Sequence, residues 1–568
     1  MSNPPPPSTN TQPAGNIIVK SIGEVKSLAT LPKAVPDYMI MNRDVQRSLD
    51  SALNIVKVTP TGASSFSDTS TQTILITIPN DCLYDLRHAT LNFQASASIT
   101  SPTALVNPIY TLTQSTGAAG AGTVVIGYRN PITGLWGYTG SLAYNTTATN
   151  LKAAMEALPN WISGATATFS SAFSGATAPT LTISLSGAST QAQLTAHSAT
   201  DVVVIAASGF TSGGTAQYVT VTLTTAQTTP GYVAFSSNIA TIFTRVRVMC
   251  GATQVLNIPN YGLLCAIYEQ MVRSQISDQV NNPQSIDYLL GIDSLYQRID
   301  WAAGNGRYYK MPLAFFGSVF TQDGSKLFPA HVFKGASWQI YLDIDTPNNI
   351  LESTATSGIH WSVSNVQLVM SSISDPQLQA RYESESVGGL YLPFENWTNT
   401  SLTYSGTAQD VQLGQHYSAV SRVISVFRTQ SGLQSATTLD KFSTYQTANI
   451  NSTQFQIGAY QIPLQPDTQS TDYLYNLLKI IDKYHAQPRY MENPIAARIA
   501  TNKAIYCFDL AKYSAETPII DGLNLNTNAS NMLLKFLSSS APSTMTFDAF
   551  IGYTSVLKYQ NGMVTILN

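Results

Sequence analysis

A two-residue hydrophobic period, returning along most of the chain, limits the fold more than any other feature. In Thr73-Ile74-Leu75-Ile76-Thr77-Ile78 three isoleucines fall on one side, Thr73, Leu75 and Thr77 on the other, and Pro79 stops the run. Leu91, Phe93, Ala95 and Ala97 repeat the period, with Asn92, Gln94 and Ser96 opposite. Successive side chains of a strand point to opposite faces, so this alternation predicts strands with one face on a core and one face polar. The same reading gives strands at Val219–Thr224, Ile242–Val248, Trp338–Ile344, Trp361–Val366, Val423–Phe427, Phe455–Ile457, Ile505–Leu510 and Met545–Tyr553. In the last of these Met545, Phe547, Ala549, Ile551 and Tyr553 share a face. Many short strands, with turn residues every ten or so positions, point to sandwiches or jelly rolls.

Helical periods are few. Thr149 to Leu158 places Leu151, Met155 and Leu158 on one face, with Thr149 as cap and Pro159 as stop. Tyr261 to Arg273 aligns Leu264, Ile267, Tyr268 and Met271; Thr471 to Tyr484 aligns Leu474, Leu477, Leu478 and Ile481, with Ser470 as cap. A short helix is read over Arg43 to Leu53.

The 568 residues exceed what one hydrophobic core usually serves, so several domains are expected. Residues 1–48 read as an N-terminal arm, partly flexible, because Pro4 to Pro7 join neither sheet nor helix interior. Between residues 101 and 232 the chain is almost free of charge and rich in Gly, Ala, Ser and Thr, yet keeps its own apolar period; this predicts an inserted domain. The expected division is a first β-unit over 49–387 interrupted by 101–232, then a second over 388–568. Each unit has strands, one longer helix in mid-course, and more strands, an echo at low sequence identity.

Only 11% of residues are charged, against roughly 25% in ordinary soluble domains. That suits a rigid β-protein with much surface locked in subunit contacts, where buried charge costs desolvation, and argues against intrinsic disorder. The net charge of −3 provides no basic field for nucleic acid, and Lys20, Lys26 and Lys33 are too scattered for a basic arm, so sequence-specific nucleic-acid binding is not expected. The N-terminus lacks the basic and apolar regions of a signal peptide, and no run of 18 apolar residues exists to span a membrane. Cys82, Cys250, Cys265 and Cys507 match neither a zinc ribbon nor a disulfide scaffold and read as buried free thiols, consistent with assembly in a reducing compartment.

No catalytic, cofactor or metal residue is assigned. His88, His197, His331, His360, His416 and His485 are scattered, and no zinc-protease, P-loop or nucleophile-elbow motif occurs. Asp343 and Asp345, on one face beside Ile344, resemble a carboxylate pair but read as solvated or paired at a subunit contact. Asp472 and Asp482 read as helix-surface residues. Arg245 and Arg247 share a strand face and read as salt-bridged at an interface. A β-rich viral fibre or adhesin binding host glycans is the alternative, supported by the Ser/Thr-rich insert and 29 tyrosines.

Several segments carry a family resemblance. Ser418-Ala419-Val420-Ser421-Arg422-Val423-Ile424-Ser425-Val426-Phe427 resembles a strand of the double jelly-roll major capsid proteins of polinton-like viruses and virophages, in the adenovirus–tectivirus lineage. Phe455 to Pro463 is similar to the family's segment leading into a helix, and Ile505–Leu510, Gly522–Asn524 and Ile551–Leu557 to its closing strands. Met311-Pro312-Leu313 with Leu327-Phe328-Pro329, and Ile242–Val248 with the helix after it, fit its first half. The resemblance covers about 50–100 and 233–568; residues 101–232 have no counterpart there and follow what would be the fourth strand. Part of that insert, Gly140 to Asn145 through Ala157 to Pro159, resembles small sandwich modules of phage structural proteins.

The resemblance implies a mainly β chain: two consecutive jelly-roll β-sandwiches with short helices, and a small β-rich, one-helix domain inserted in a loop of the first roll. It implies a non-enzymatic shell protein of the virion, assembled in the host-cell interior. Three copies would form a pseudo-hexameric homotrimer tiling an icosahedral capsid around double-stranded DNA. Its partners would be neighbouring trimers, penton and minor capsid proteins, and a host receptor reached through 101–232.

Overall fold

The structure, a computed structural model, describes residues 52–272, 306–312, 327–480, 504–511, 522–525 and 532–567, apart from gaps of one to four residues within them. In chain order the first sandwich is built from Ala52–Val58, Thr73–Ile78, Leu83–Ile99, Phe243–Cys250, Thr253–Pro259, Arg307–Pro312, Trp338–Ile344 and Ile359–Ser374. One sheet joins the first, eighth, third and sixth of these strands, the other the second, seventh, fourth and fifth. The second sandwich comprises Leu390–Tyr404, Ala408–Leu413, Val420–Thr429, Ile450–Ile457, Tyr460–Asp467, Ile505–Asp509, Met532–Ser538 and Met545–Gln560, joined in the same order. One sheet of each roll gains a short fifth strand, Ser65–Ser67 in the first and Met563–Leu567 in the second. Eight antiparallel framework strands in two sheets of this connectivity make a jelly roll, and the chain contains two in succession. Each carries a helix between its fifth and sixth strands, Tyr261–Val272 and Ser470–Ile480.

The insert leaves the first roll after Ile99, the end of its third framework strand, and returns before Phe243. Counting the three-residue strand Ser65–Ser67 makes that exit strand the fourth. The insert has a sheet ordered Val219–Thr225, Ile109–Gln114, Thr180–Ser184, Thr166–Phe169. A second sheet is ordered Val202–Ala206, Thr123–Arg129, Trp136–Tyr138. Its helix Ala148–Glu156 buries Leu151 and Met155. Its core, from Tyr110 and Leu112 to Phe210 and Val219, shares no residue with the cores of the rolls.

The periodic strands form as their spacing predicts. Ile74, Ile76 and Ile78 are buried, and so are Leu91, Phe93, Ala95 and Ala97. Local differences have local causes. Thr147, not Thr149, caps the insert helix, its hydroxyl accepting from the Asn150 N–H at 3.3 Å, because the helix starts at Ala148. Ala52 and Leu53 begin the first strand and so belong to no helix; the rest of the helix read over Arg43 to Leu53 lies outside the described residues. Ile242 closes a short 3-10 turn, and its strand starts at Phe243. The helix Tyr261–Val272 is buried on every side from Tyr261 to Ile267, not along one face. Arg273 and Ile481 to Tyr484 lie outside the described residues; of the second helix, Leu477 and Ile480 are buried, and Ser470 is its first residue.

Most distinctive is the sheet of the second roll built on Val420–Thr429 and Met545–Gln560. Val423, Phe427, Phe547, Ala549 and Ile551 point into that roll's own core. Ile424, Val426 and Phe550 point the other way, into a core continuous with the first roll. Both faces are therefore buried, and runs such as Val423-Ile424-Ser425-Val426-Phe427 read as nearly unbroken apolar stretches.

Candidate functional site

The most elaborate constellation of polar groups lies along the seam between the rolls. From the first roll, the Tyr268 ring meets the Trp397 indole edge-on, with centroids 5.8 Å apart. Arg422, at the start of a buried strand, donates to the Tyr268 hydroxyl at 3.4 Å and the Ile480 carbonyl at 3.2 Å, and pairs with Glu395 at 3.3 Å. The Asn260 amide donates to Asn399 Oδ1 at 2.7 Å. Lys441, in the loop after the third strand of the second roll, is buried. Its ammonium crosses the seam to the carbonyls of Asn348 (2.6 Å) and Leu351 (2.8 Å), and bonds Ser435 O (3.3 Å) on its own side. Burial pulls its pKa down to about 8, opposed by the nearby carboxylates of Glu352 and Asp345. The Ser353 N–H donates to Ala436 O at 2.7 Å, adding a backbone tie. Glu352 is itself buried and accepts from the Ser236 hydroxyl.

Beside Lys441 a cavity of about 240 Å³ opens between the rolls, lined among others by Asp345, Asn349, Ser401, Arg428 and Asp548. Asp548 is fully buried, and its Oδ2 accepts from Arg428 Nε at 2.9 Å and Nη2 at 2.7 Å. Of these seam residues Asp345, Tyr268 and Arg422 are named from the sequence, none of them for a role at the seam, and the rest are missed. One signal was available: Asp548 is a lone acid between Phe547 and Ala549, where an ionised group needs a partner, and Arg428 ends a facing apolar strand.

Residues singled out in the sequence are placed as follows. Arg247 donates to both carboxylate oxygens of Asp343 at 3.2 Å and stands over the Tyr341 ring, while Arg245 Nε donates to Asn257 Oδ1 at 2.7 Å. The Arg247–Asp343 pair thus forms between neighbouring strands of one sheet, not at a subunit contact, through Nη2 alone. Asp345 falls just past the strand, where its carboxylate caps the Thr346 N–H at 2.7 Å, so it is not paired with Asp343 as a site. Asp472 lies in the first turn of its helix and is half-buried; Asp482 lies outside the described residues. His360 meets Asp68 at 2.9 Å, and His331 is buried against the Gln379 carbonyl at 3.2 Å. His416 and His485 lie outside the described residues, and His88 belongs to the strand Leu83–Ile99. His197 is buried in the insert, its Nδ1 2.8 Å from Gln227 Oε1 and its Nε2 3.1 Å from the Tyr128 hydroxyl. Burial lowers its pKa, against the opposing pull of Gln227 and Asp201.

Among the described residues no group of three His, Cys, Asp or Glu side chains is placed to hold a metal ion. All four cysteines are free thiols; Cys250, Cys265 and Cys507 are buried, and Cys82 is half-buried. Among the described residues no helix is long and apolar enough to cross a membrane.

No protein-family model matches the chain, and no curated protein matches it. Solved structures do. The chain is similar to VP54 of PBCV-1, fitted into a reconstruction of the virophage Sputnik, at 10% identity over 92% of this chain and 98% of that one, with a TM-score of 0.46. It is similar to the Faustovirus major capsid protein at 10% identity, covering 97% and 99% of the two chains, with a TM-score of 0.47. For the mavirus major capsid protein the identity is 8%, the coverage 90% and 89%, and the TM-score 0.31.

Proposed function

We propose that this chain is a major capsid protein that builds an icosahedral virion shell around double-stranded DNA and acts as a scaffold, not an enzyme. The observation that carries this reading is the duplication: two jelly rolls of identical strand order in one chain, fused by a buried seam. A jelly roll alone hosts many functions. Two similar lobes per chain, taken three times, give six similar lobes in a closed ring, the pseudo-hexameric trimer that the family resemblance implies. Closed cyclic symmetry is the ordinary way for such a chain to assemble, and obligate interfaces of that kind bury about 2,000–5,000 Å².

In this reading the division is an arm at 1–48, a first roll at 49–387, a projecting domain at 101–232 and a second roll at 388–568. The rolls stand side by side, perpendicular to the shell. The arm reaches under neighbouring trimers, and the outer rims meet penton and minor capsid proteins. The insert leaves and returns at one loop end of the first roll, where extra chain disturbs neither core, and faces outward for host attachment. Light scattering on the purified protein, with negative-stain images, tests the reading. A particle of three times the 61.2 kDa chain mass with a hexagonal outline is expected; a stable monomer sinks it.

A further inference from the structure

The insert's second sheet has one face on its core and one face open. On the open face the edge strand Trp136–Tyr138 presents two aromatic side chains, Trp136 40% and Tyr138 53% exposed. Their ring planes lie 15° apart with centroids 5.9 Å from each other. Gly127 pairs with Tyr138 in the register, and a Cβ there would strike the Tyr138 ring and the Val203 side chain, so the missing side chain makes room for the ring.

A three-residue edge strand would ordinarily fray, but this one is clamped. The Asn160 amide, in space that a side chain on Gly137 would need, donates to Tyr128 O at 2.8 Å and Leu135 O at 2.9 Å. Asn130 donates to Asn160 O at 2.9 Å, and its Oδ1 accepts from the Ile132 N–H at 2.9 Å, fixing the connecting turn. Two exposed aromatics are thus held ready at an apolar cost that folding alone does not require.

Charge decides what fits there. Residues 101–232 contain four charged side chains: Arg129, Lys152, Glu156 and Asp201. Lys152 and Glu156 face each other on the helix at 3.8 Å. Arg129 is the cross-strand partner of Trp136, on the same face, and its side chain is 44% exposed. Its carboxylate neighbour Asp201 is buried, 3.8 Å away, and accepts from the Ser198 N–H at 2.6 Å. Two exposed cations, Arg129 and Lys152, each beside a carboxylate, are far too few for a nucleic acid, which needs many phosphate contacts to release counterions, and of the two Arg129 is the one paired with Trp136. It suits a ligand with one anionic group beside an apolar ring face.

We propose that this face, centred on Trp136, Tyr138 and Arg129, binds a carboxylate-bearing sugar of a surface glycan. The sugar's C–H face lies on the aromatic pair and its carboxylate meets the Arg129 guanidinium. The inference rests on the insert's being the outward part of the shell.

The full chain in its assembled state is titrated with 3′-sialyllactose, with tri-galacturonate and with neutral lactose, followed by saturation-transfer NMR. At least one acidic probe is expected to bind saturably, and lactose at least about tenfold more weakly, a gap equivalent to ~1.4 kcal/mol. Trp136→Ala abolishes binding and Tyr138→Phe retains it. Arg129→Gln erases the acidic preference, with particle mass and the insert's thermal transition unchanged. The inference is overturned if neither acidic probe binds saturably, or if a folded Trp136→Ala variant binds like the parent. Trimers that bind no acidic sugar refute this inference alone; a monomer that binds one refutes the capsid reading and with it the site's place on a shell, leaving only the sugar affinity of the face.

Discussion

Removing the insert is the most direct perturbation of this architecture. At its neck Val106 and Thr228 form an antiparallel bridge, with N–H to carbonyl distances of 3.2 and 3.1 Å in the two directions. The two chain crossings therefore already lie side by side, and a three-residue Gly/Ser loop replacing residues 107–227 closes there as an ordinary hairpin. Because the insert's core is separate from those of the rolls, the excision opens no cavity in either roll. Two terms remain: surface changes of within about 0.5 kcal/mol, and a loop-closure entropy of about 0.6 kcal/mol per doubling of length, which over the shortening is at most about 3 kcal/mol and favours the shortened chain. The rolls should therefore lose no more than about 0.5 kcal/mol, a fall in melting temperature of roughly 2 °C or less, and any larger shift should be upward. Had the insert shared the rolls' core, each lost Leu or Ile would cost about 2–5 kcal/mol and the remainder would not fold. Scanning calorimetry should lose the insert's transition and keep that of the rolls, and light scattering should return trimers less the insert's mass. Aggregation of the shortened chain, or a fall of more than about 10 °C in the remaining transition, refutes the separation on which this estimate rests.

Removing Asp548 with Asp548→Ala leaves the Arg428 guanidinium uncompensated in a buried site and should cost about 3–5 kcal/mol in urea unfolding, whereas Arg428→Met with Asp548→Leu should recover most of it; equal losses in the single and double variants refute the pairing. His197 has a folded pKa lowered by burial, so the unfolded insert takes up the proton first: the stabilising contribution is complete above about 6.5, falls as pH drops below that value, and levels off beneath the folded pKa. The insert's melting transition should therefore decline between pH 7 and pH 5 in the parent and show a shallower decline in His197→Gln, parallel declines excluding the histidine as the cause. Cys250, whose thiol burial pushes up to about 12, and Cys507, raised likewise by burial, should resist alkylation at pH 8 until the rolls unfold, as mass spectrometry of modified peptides would register.

How far the sequence carries this architecture depends on whether a feature is local. Ile74, Ile76 and Ile78 announce their strand because one face meets a core and the other meets solvent, and the alternation records that difference. The helix Pro376–Ser386 also has a local signal, Asp375 before Pro376, with the carboxylate accepting from Gln377 and Leu378 N–H groups. The second roll's inner sheet is different: Val423 and Ile424 point to opposite sides, but both sides are interior, so no polar face marks the strand's orientation. Nor does local sequence connect Lys441 with Asn348 and Leu351, roughly ninety positions away, since the ammonium's reason for burial exists only once the rolls meet. The motif resemblance reached the double jelly roll by another route, since an ordered set of short segments retains long-range information that periodicity does not.

If the chain assembles as proposed, the two-faced sheet bears on assembly as well as folding. Three chains can make a regular six-lobed ring only if the angle between the lobes of one chain is fixed; a loose hinge would spread each trimer over many outlines. Continuous burial of Trp397, Ile424, Val426 and Phe550 resists such a hinge, because opening it would return those side chains to water at roughly 1.5–3 kcal/mol for each fully buried one. Non-directional burial alone tolerates sliding. The directional ties across the same seam, Lys441 to two carbonyls, Asn260 to Asn399 and the Ser353–Ala436 backbone bond, select one register. Apolar area holds the rolls together and the hydrogen bonds set their angle, which explains why a chain so poor in charge keeps a buried lysine where its two lobes join.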